Sequence, residues 1–134
     1  LGPWVEDCKR LAPIIAERFD VSVGVVNARF AKPLDQSLLK KQGNRASLIV
    51  TFEDNVIQGG FGSGVLEAFN EFNLKGSVLR IGWPDNFVEH GSSVNQLRSE
   101  NGLDDASILN KIEDRIRDLL GITHTDTFSS AGID

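Results

Sequence analysis

The sequence is short of the residues from which staples, metal sites and membrane anchors are made. Its single cysteine, Cys8, cannot close an internal disulfide, which suits a reducing compartment. The two histidines, His90 and His124, stand far apart, and no ligand spacing for zinc is present. No apolar run approaches the roughly 20 residues that cross a bilayer, and no signal-peptide pattern opens the sequence. A membrane role is therefore not expected. Positive charge is scarce too: 14 Lys and Arg against 19 Asp and Glu give a net charge of −5. Phosphate-backbone binding needs concentrated Lys and Arg, and the Lys40-Lys41 pair is too small a patch. Nucleic acid is not expected as a partner.

What remains suits one folded domain. The 134 residues are 40% hydrophobic and 25% charged, enough to bury a core without staples. Residues 1–122 carry the patterning of a single domain, and 123–134 read as a loose polar tail.

Val5, Cys8, Leu11, Ile15 and Phe19 recur at helical spacing. Pro13 lies inside that pattern and predicts a bend or an early break. Cys8 on this helix reads as a packed small hydrophobe rather than a reactive thiol. Val21–Asn27 is β-branched and apolar on both faces, which predicts a central parallel strand. A loop through Arg29, Lys32 and Pro33 leads to a helix ending near Gln42, with Gly43-Asn44 as its stop. Ala46–Phe52 and Ser77–Ile81 read as two further strands, with a helix from the glycine-rich stretch between them. Trp83 and Phe87 sit in a turn-rich excursion, Ser92 caps a helix to about Glu100, and Asp104 opens a last helix closed by Gly121. In that helix Ile108, Leu109, Ile112, Ile116, Leu119 and Leu120 form the apolar stripe. Strands alternating with helices give an α/β fold with a mainly parallel sheet covered on both faces.

The chemistry concentrates in Thr51–Phe69, TFEDNVIQGGFGSGVLEAF, where a strand delivers Glu53 and Asp54 to a turn with Gly59, Gly60, Gly62 and Gly64. A strand end followed by a glycine-rich helix entry is where open α/β sheets place function. Two readings stand for the glycines. They let a backbone approach an anion at the helix N-terminus, or they allow a tight turn and close packing of helix on sheet. The spacing is not that of a dinucleotide fingerprint, and no Lys-Ser or Lys-Thr follows as in a P-loop. Glu53 and Asp54 would also repel a phosphate. Glu53 could act as a base, bind a cation, or hold the Asn55 loop or an interface, and no second catalytic group stands near it in sequence. Arg29 and Lys32 follow another strand end, so they are expected to share a charged ledge with Glu53 and Asp54, Arg29 pairing with a carboxylate or standing in solvent. His90, beside Gly91, reads as a capping or surface residue. No complete catalytic set emerges.

Four segments in order, VVNARFAKPLD (Val25–Asp35), TFEDNVIQGGFGSGVLE (Thr51–Glu67), IGWPDNFVEHGS (Ile81–Ser92) and NGLDDASILNKI (Asn101–Ile112), resemble the carboxyl-terminal domain of 1-deoxy-D-xylulose-5-phosphate synthases. ARF-x-KPLD and E-[DE]-N-x-x-x-GG-x-GSG occurring together are specific; each alone would suggest only the wider transketolase-like group. The resemblance implies a three-layer α/β/α domain, its five-stranded sheet mainly parallel with one antiparallel strand. In that family a strand normally precedes the first helix, so the chain is expected to be a fragment with its first strand truncated. The full enzyme of the family condenses pyruvate with glyceraldehyde 3-phosphate to 1-deoxy-D-xylulose 5-phosphate and CO2, using thiamine diphosphate and Mg²⁺, at the start of an isoprenoid route in bacterial cytoplasm or plastids. The cofactor and most catalytic groups belong to two preceding domains. The Gly-Asp-Gly metal motif is absent here, and no catalytic, cofactor or metal residue is carried over. Arg29, Lys32, Asp35, Glu53, Asn55, Gly59, Gly60, Gly62 and Ser63 are implied as an interface with the preceding domains or the second subunit of a homodimer, and the fragment is expected to be inactive alone. Two alternatives are an independent module that captures a phosphorylated metabolite or nucleotide at the Gly59–Ser63 turn, and the β-subunit domain of a 2-oxo acid dehydrogenase.

Overall fold

The computed structural model describes residues 2–29, 31–86 and 93–122. In chain order these form α1 (Trp4–Phe19), α2 (Gln36–Arg45), β1 (Leu48–Val56), α3 (Phe61–Glu71), β2 (Ser77–Trp83), α4 (Val94–Glu100) and α5 (Asp105–Leu120). The two strands pair in parallel with α3 as the crossover, Leu48 opposite Ser77 and Phe52 opposite Ile81.

Alternation along the strands sorts their side chains into two layers. Leu48, Val50 and Phe52 of β1, with Leu79, Ile81 and Trp83 of β2, face a core shared with α1 and α5. Trp4, Leu11 and Phe19 enter it from α1, and Ile108, Leu109, Ile112 and Ile116 from α5. The opposite face carries Thr51, Glu53 and Arg80 against α3, and α2 packs on α3. The α/β class and the helices on both faces follow the sequence pattern.

Local chemistry sets the helix ends. Asp35 Oδ1 accepts from the Leu38 N–H at 2.9 Å to start α2, and Asp104 Oδ1 accepts from the Ser107 N–H at 3.0 Å to start α5. Gly121, at φ 66°, closes α5 in the left-handed conformation. Ser93 caps α4 by accepting from the Gln96 N–H at 3.2 Å; Ser92, the cap expected from sequence, lies outside the described residues.

Several expectations are corrected. Residues 21–28 form no strand. Their side chains have the composition of a buried strand, but a strand also needs a partner ladder, and Val23, Val25 and Val26 remain 36%, 41% and 48% exposed. Among the described residues the sheet is one parallel pair, and the antiparallel strand implied by the resemblance is not among them. Pro13 does not break α1, which stays one helix of 16 residues, because Leu11, Ile15 and Phe19 anchor it to the core on both sides of the proline. Gly43 is not a stop, since α2 runs to Arg45. It is a contact point, where an added Cβ would lie 2.7 Å from Leu74 Cδ1 and 3.0 Å from Phe69 Cζ. Leu119 and Leu120 are exposed rather than part of the core stripe. The proposed tail, 123–134, and Phe87 lie outside the described residues.

Ile81, 1% exposed in the central core, should lower the unfolding free energy by about 2–5 kcal/mol when replaced by Ala. Val94→Ala, at a position 62% exposed, should stay within about 0.5 kcal/mol of the parent in the same urea titration. Hydrogen bonds from the Ser107 hydroxyl and N–H hold the Asp104 carboxyl below its ordinary value of 3.8. A depressed folded-state pKa contributes stability that is complete above the ordinary value and is lost as pH falls through the lowered one. Asp104→Asn keeps a capping oxygen but should give a shallower fall in stability below about pH 4.

Candidate functional site

The acidic strand end and the glycine-rich turn meet around one buried carboxylate. Glu53 is 1% exposed, and its Oε2 accepts the N–H of Gly62 at 2.8 Å in the first turn of α3. A helix N-terminus presents unpaired N–H groups and a partial positive charge, so a carboxylate there gains a charge-assisted bond and a favourable dipole. The turn before it is tied by Ser63, whose hydroxyl donates to the Ile57 carbonyl at 2.9 Å. The same oxygen accepts the Gly59 N–H at 3.1 Å and Arg80 Nη1 at 2.9 Å, which uses the full capacity of a hydroxyl. Gly59 supplies the positive φ, 71°, that the turn requires.

The glycines after it allow close approach. A Cβ at Gly60 would collide with Glu53 Oε1, and one at Gly62 would sit 2.6 Å from Thr51 Oγ1 and 2.8 Å from Arg80 Cγ. Gly64 has no such neighbour, its nearest contact being Leu34 Cδ1 at 3.5 Å. The anion at this helix N-terminus is the protein's own. Glu53 Oε1 and Thr51 Oγ1 are buried beside it without a protein hydrogen-bond partner.

The remaining residues singled out from sequence do not join this cluster. Arg29, Lys32, Asp54 and Asn55 are exposed. Arg29 makes no ion pair with Glu53; its backbone, at φ 31°, donates N–H to Asn27 Oδ1 at 3.3 Å. Asp35 is committed to capping α2. Glu53 therefore leaves the charged ledge expected of it and serves the α3 turn, because alternation in β1 points it to the helix side and its neighbour Asp54 to solvent. Trp83 Nε1 donates to Asp54 Oδ1 at 2.9 Å across the strand ends. Sequence reasoning missed Thr51, Arg80 and Trp83 as partners. Arg80 had a signal, a lone charge inside an apolar strand. His90 lies outside the described residues.

Among the described residues no group of three or more His, Cys, Asp or Glu is placed to hold a metal ion. The α3 N-terminus, the one glycine-rich helix entry, is filled by Glu53 and does not fit a diphosphate group. Cys8 packs against the core, and burial pushes its thiol pKa up, which disfavours the reactive thiolate.

The model of the transketolase C-terminal domain matches residues 1–108. The chain belongs to that family. It is similar to 1-deoxy-D-xylulose-5-phosphate synthase of Caldanaerobacter subterraneus subsp. tengcongensis, with 47% identity over 97 residues, 72% of this chain and 15% of that protein. The synthase of Aquifex aeolicus is 43% identical over the same share of each chain. Synthase 2 of Geobacter sulfurreducens is 42% identical over 113 residues, 84% of this chain and 17% of that protein. The chain thus spans about 15% of the length of the first two relatives. No described helix of this transketolase C-terminal domain is long and apolar enough to cross a membrane.

Gly62→Ala should destabilise the domain by about 1–3 kcal/mol through overpacking, whereas Gly64→Ala should be neutral or stabilise it by about 0.5–1 kcal/mol. Glu53→Ala strands the Gly62 N–H and should cost about 1–3 kcal/mol. Denaturant titration of the three variants checks the order; equal effects at Gly62 and Gly64 would remove the close-packing account of this turn.

Proposed function

We propose that this chain is the carboxyl-terminal domain of a 1-deoxy-D-xylulose-5-phosphate synthase. It contributes contacts to the rest of the enzyme and no turnover alone. The full enzyme, in bacterial cytoplasm or a plastid, condenses pyruvate with glyceraldehyde 3-phosphate to 1-deoxy-D-xylulose 5-phosphate and CO2, as a homodimer. Similarity to synthases supports the assignment, and the observation that carries the division of labour is Glu53 on the Gly62 N–H. With that N–H occupied by Glu53, the glycine-rich turn does not suit thiamine diphosphate, and we assign the cofactor and Mg²⁺ to the remainder of the enzyme. The exposed residues Arg29, Lys32 and Asn55 are the part that meets the other domains or the second subunit, while Glu53, Gly59, Gly60, Gly62, Ser63 and Asp35 shape the turn and helix start.

The rival reading, a phosphate- or nucleotide-binding module at the Gly59–Ser63 turn, is disfavoured by the same bond. Glu53 occupies the N–H that a phosphate would need, and its charge opposes a second anion. The 2-oxo acid dehydrogenase alternative has no relative among those described above.

Titrating thiamine diphosphate with Mg²⁺ into the isolated chain should give no binding heat, and the chain should make no deoxyxylulose phosphate. Turnover by these 134 residues would sink the assignment of a contact role. In the full-length enzyme, Arg29→Glu should lower kcat/KM or dimer affinity by about tenfold, equivalent to about 1.4 kcal/mol, without changing the melting of the isolated domain. Unchanged kinetics together with an unchanged sedimentation profile would place the ledge in solvent.

A further inference from the structure

The parallel ladder of β1 and β2 is interrupted near its carboxyl end. Phe52 pairs with Ile81 and Val56 with Trp83, so Glu53, Asp54 and Asn55 stand against Gly82 alone. Bulges are rare in parallel pairs; they leave residues unpaired, re-aim side chains and gather beside functional sites. This one depends on close approach, since a Cβ at Gly82 would lie 2.9 Å from Glu53 Cγ and 3.0 Å from the Asn55 carbonyl oxygen.

The bulge is fastened on both sides of Asn55. Before it, Glu53 is drawn inward to the Gly62 N–H, and Asp54 Oδ1 accepts from Trp83 Nε1 at 2.9 Å. After it, the Ile57 N–H donates to the Trp83 carbonyl at 3.0 Å, and the Ile57 carbonyl accepts from the Ser63 hydroxyl at 2.9 Å. Trp83 thus grips the bulge twice, by its indole N–H and by its carbonyl, while its ring packs against the core. Asn55 and Val56 stand exposed between these anchors. The Asn55 side-chain amide enters none of the bonds that tie the bulge among the described residues. A tip held from both ends keeps that amide in place before any contact is made, which lowers the entropic cost of contact. A primary amide offers both donors and an acceptor, and Val56 beside it is apolar. With Glu53 and Asp54 adjacent, the tip suits a neutral peptide surface and opposes an anion.

We propose that Trp83 is a positioning residue, which through Asp54 and Ile57 sets the bulge that presents Asn55 to a peptide group of the surrounding synthase. The proposal rests on the reading of Asn55 as a contact with the rest of the enzyme and adds the residues that aim it.

The test is made in the full-length synthase, by deoxyxylulose phosphate kinetics and sedimentation. Asn55→Ala should lower kcat/KM or dimer affinity by about tenfold. Trp83→Phe keeps a ring in the core and removes the N–H, and should lower the same quantity by about three- to tenfold. The double variant should fall no further than Asn55→Ala alone, because both changes remove one contact. Asp54→Ala removes the same bond from the solvent side, leaves the core untouched and should match Trp83→Phe, singly and combined with Asn55→Ala; Asp54→Asn, which keeps an acceptor, should recover most of that loss. A Trp83 that only stabilises the fold gives losses that add to those of Asn55→Ala, and such additivity overturns the proposal. Parent-like behaviour of Trp83→Phe and Asp54→Ala beside an impaired Asn55→Ala also overturns it, and leaves the contact role of Asn55 standing. A parent-like Asn55→Ala removes that contact role itself, and the positioning role with it.

Discussion

A carboxylate held under a helix N-terminus sets the geometry around it. Glu53 sits near the end of β1, reaches the Gly62 N–H, and is closed in by glycines at positions 60 and 62. Burying a charge is costly unless it is paired and hydrogen-bonded, and here the compensation comes from a peptide N–H and the α3 dipole. That compensation works only at short range, which is why β1 and α3 approach each other so closely and why side chains are missing on the helix side. Ser63 and Arg80 tie the intervening turn, so strand, turn and helix behave as one unit. The β1–β2 pairing, with α3 as its crossover, rests on that unit.

The same interaction explains why a local reading of the stretch is ambiguous. Glycines before a helix suggest an anion, and an anion is present, supplied by the chain. Sequence spacing alone does not say whether Glu53 and Asp54 both face solvent. Only the pleat of β1 separates them, one inward to α3 and one outward to Trp83.

Much of the fold was legible because its signals are local. The apolar periodicity of α5, the Asp104 and Gly121 ends, and the two apolar runs that became β1 and β2 each depend on neighbours a few residues away. The misreadings involve distant partners. Residues 21–28 have the composition of a strand, but pairing is a property of two segments. Gly43 looks like a stop until Phe69 and Leu74 are placed over it. Pro13 looks like a break until the core holds α1 on both sides. For the site, Asp35 and Ser63 were recognisable as polar turn residues, while the burial of Glu53 and the part played by Thr51 and Arg80 required the facing helix. The two unpartnered oxygens, Glu53 Oε1 and Thr51 Oγ1, had no signature in the sequence.

Arg115 gives the sheet a polarity that its two strands alone would lack. Arg115 of α5 donates to the Val78 carbonyl and to Ser77 Oγ, so docking of the last helix also fastens the start of β2. A chain cut before α5 would lose the Ile108, Ile112 and Ile116 side of its core together with the Arg115 bonds that hold the first residues of β2.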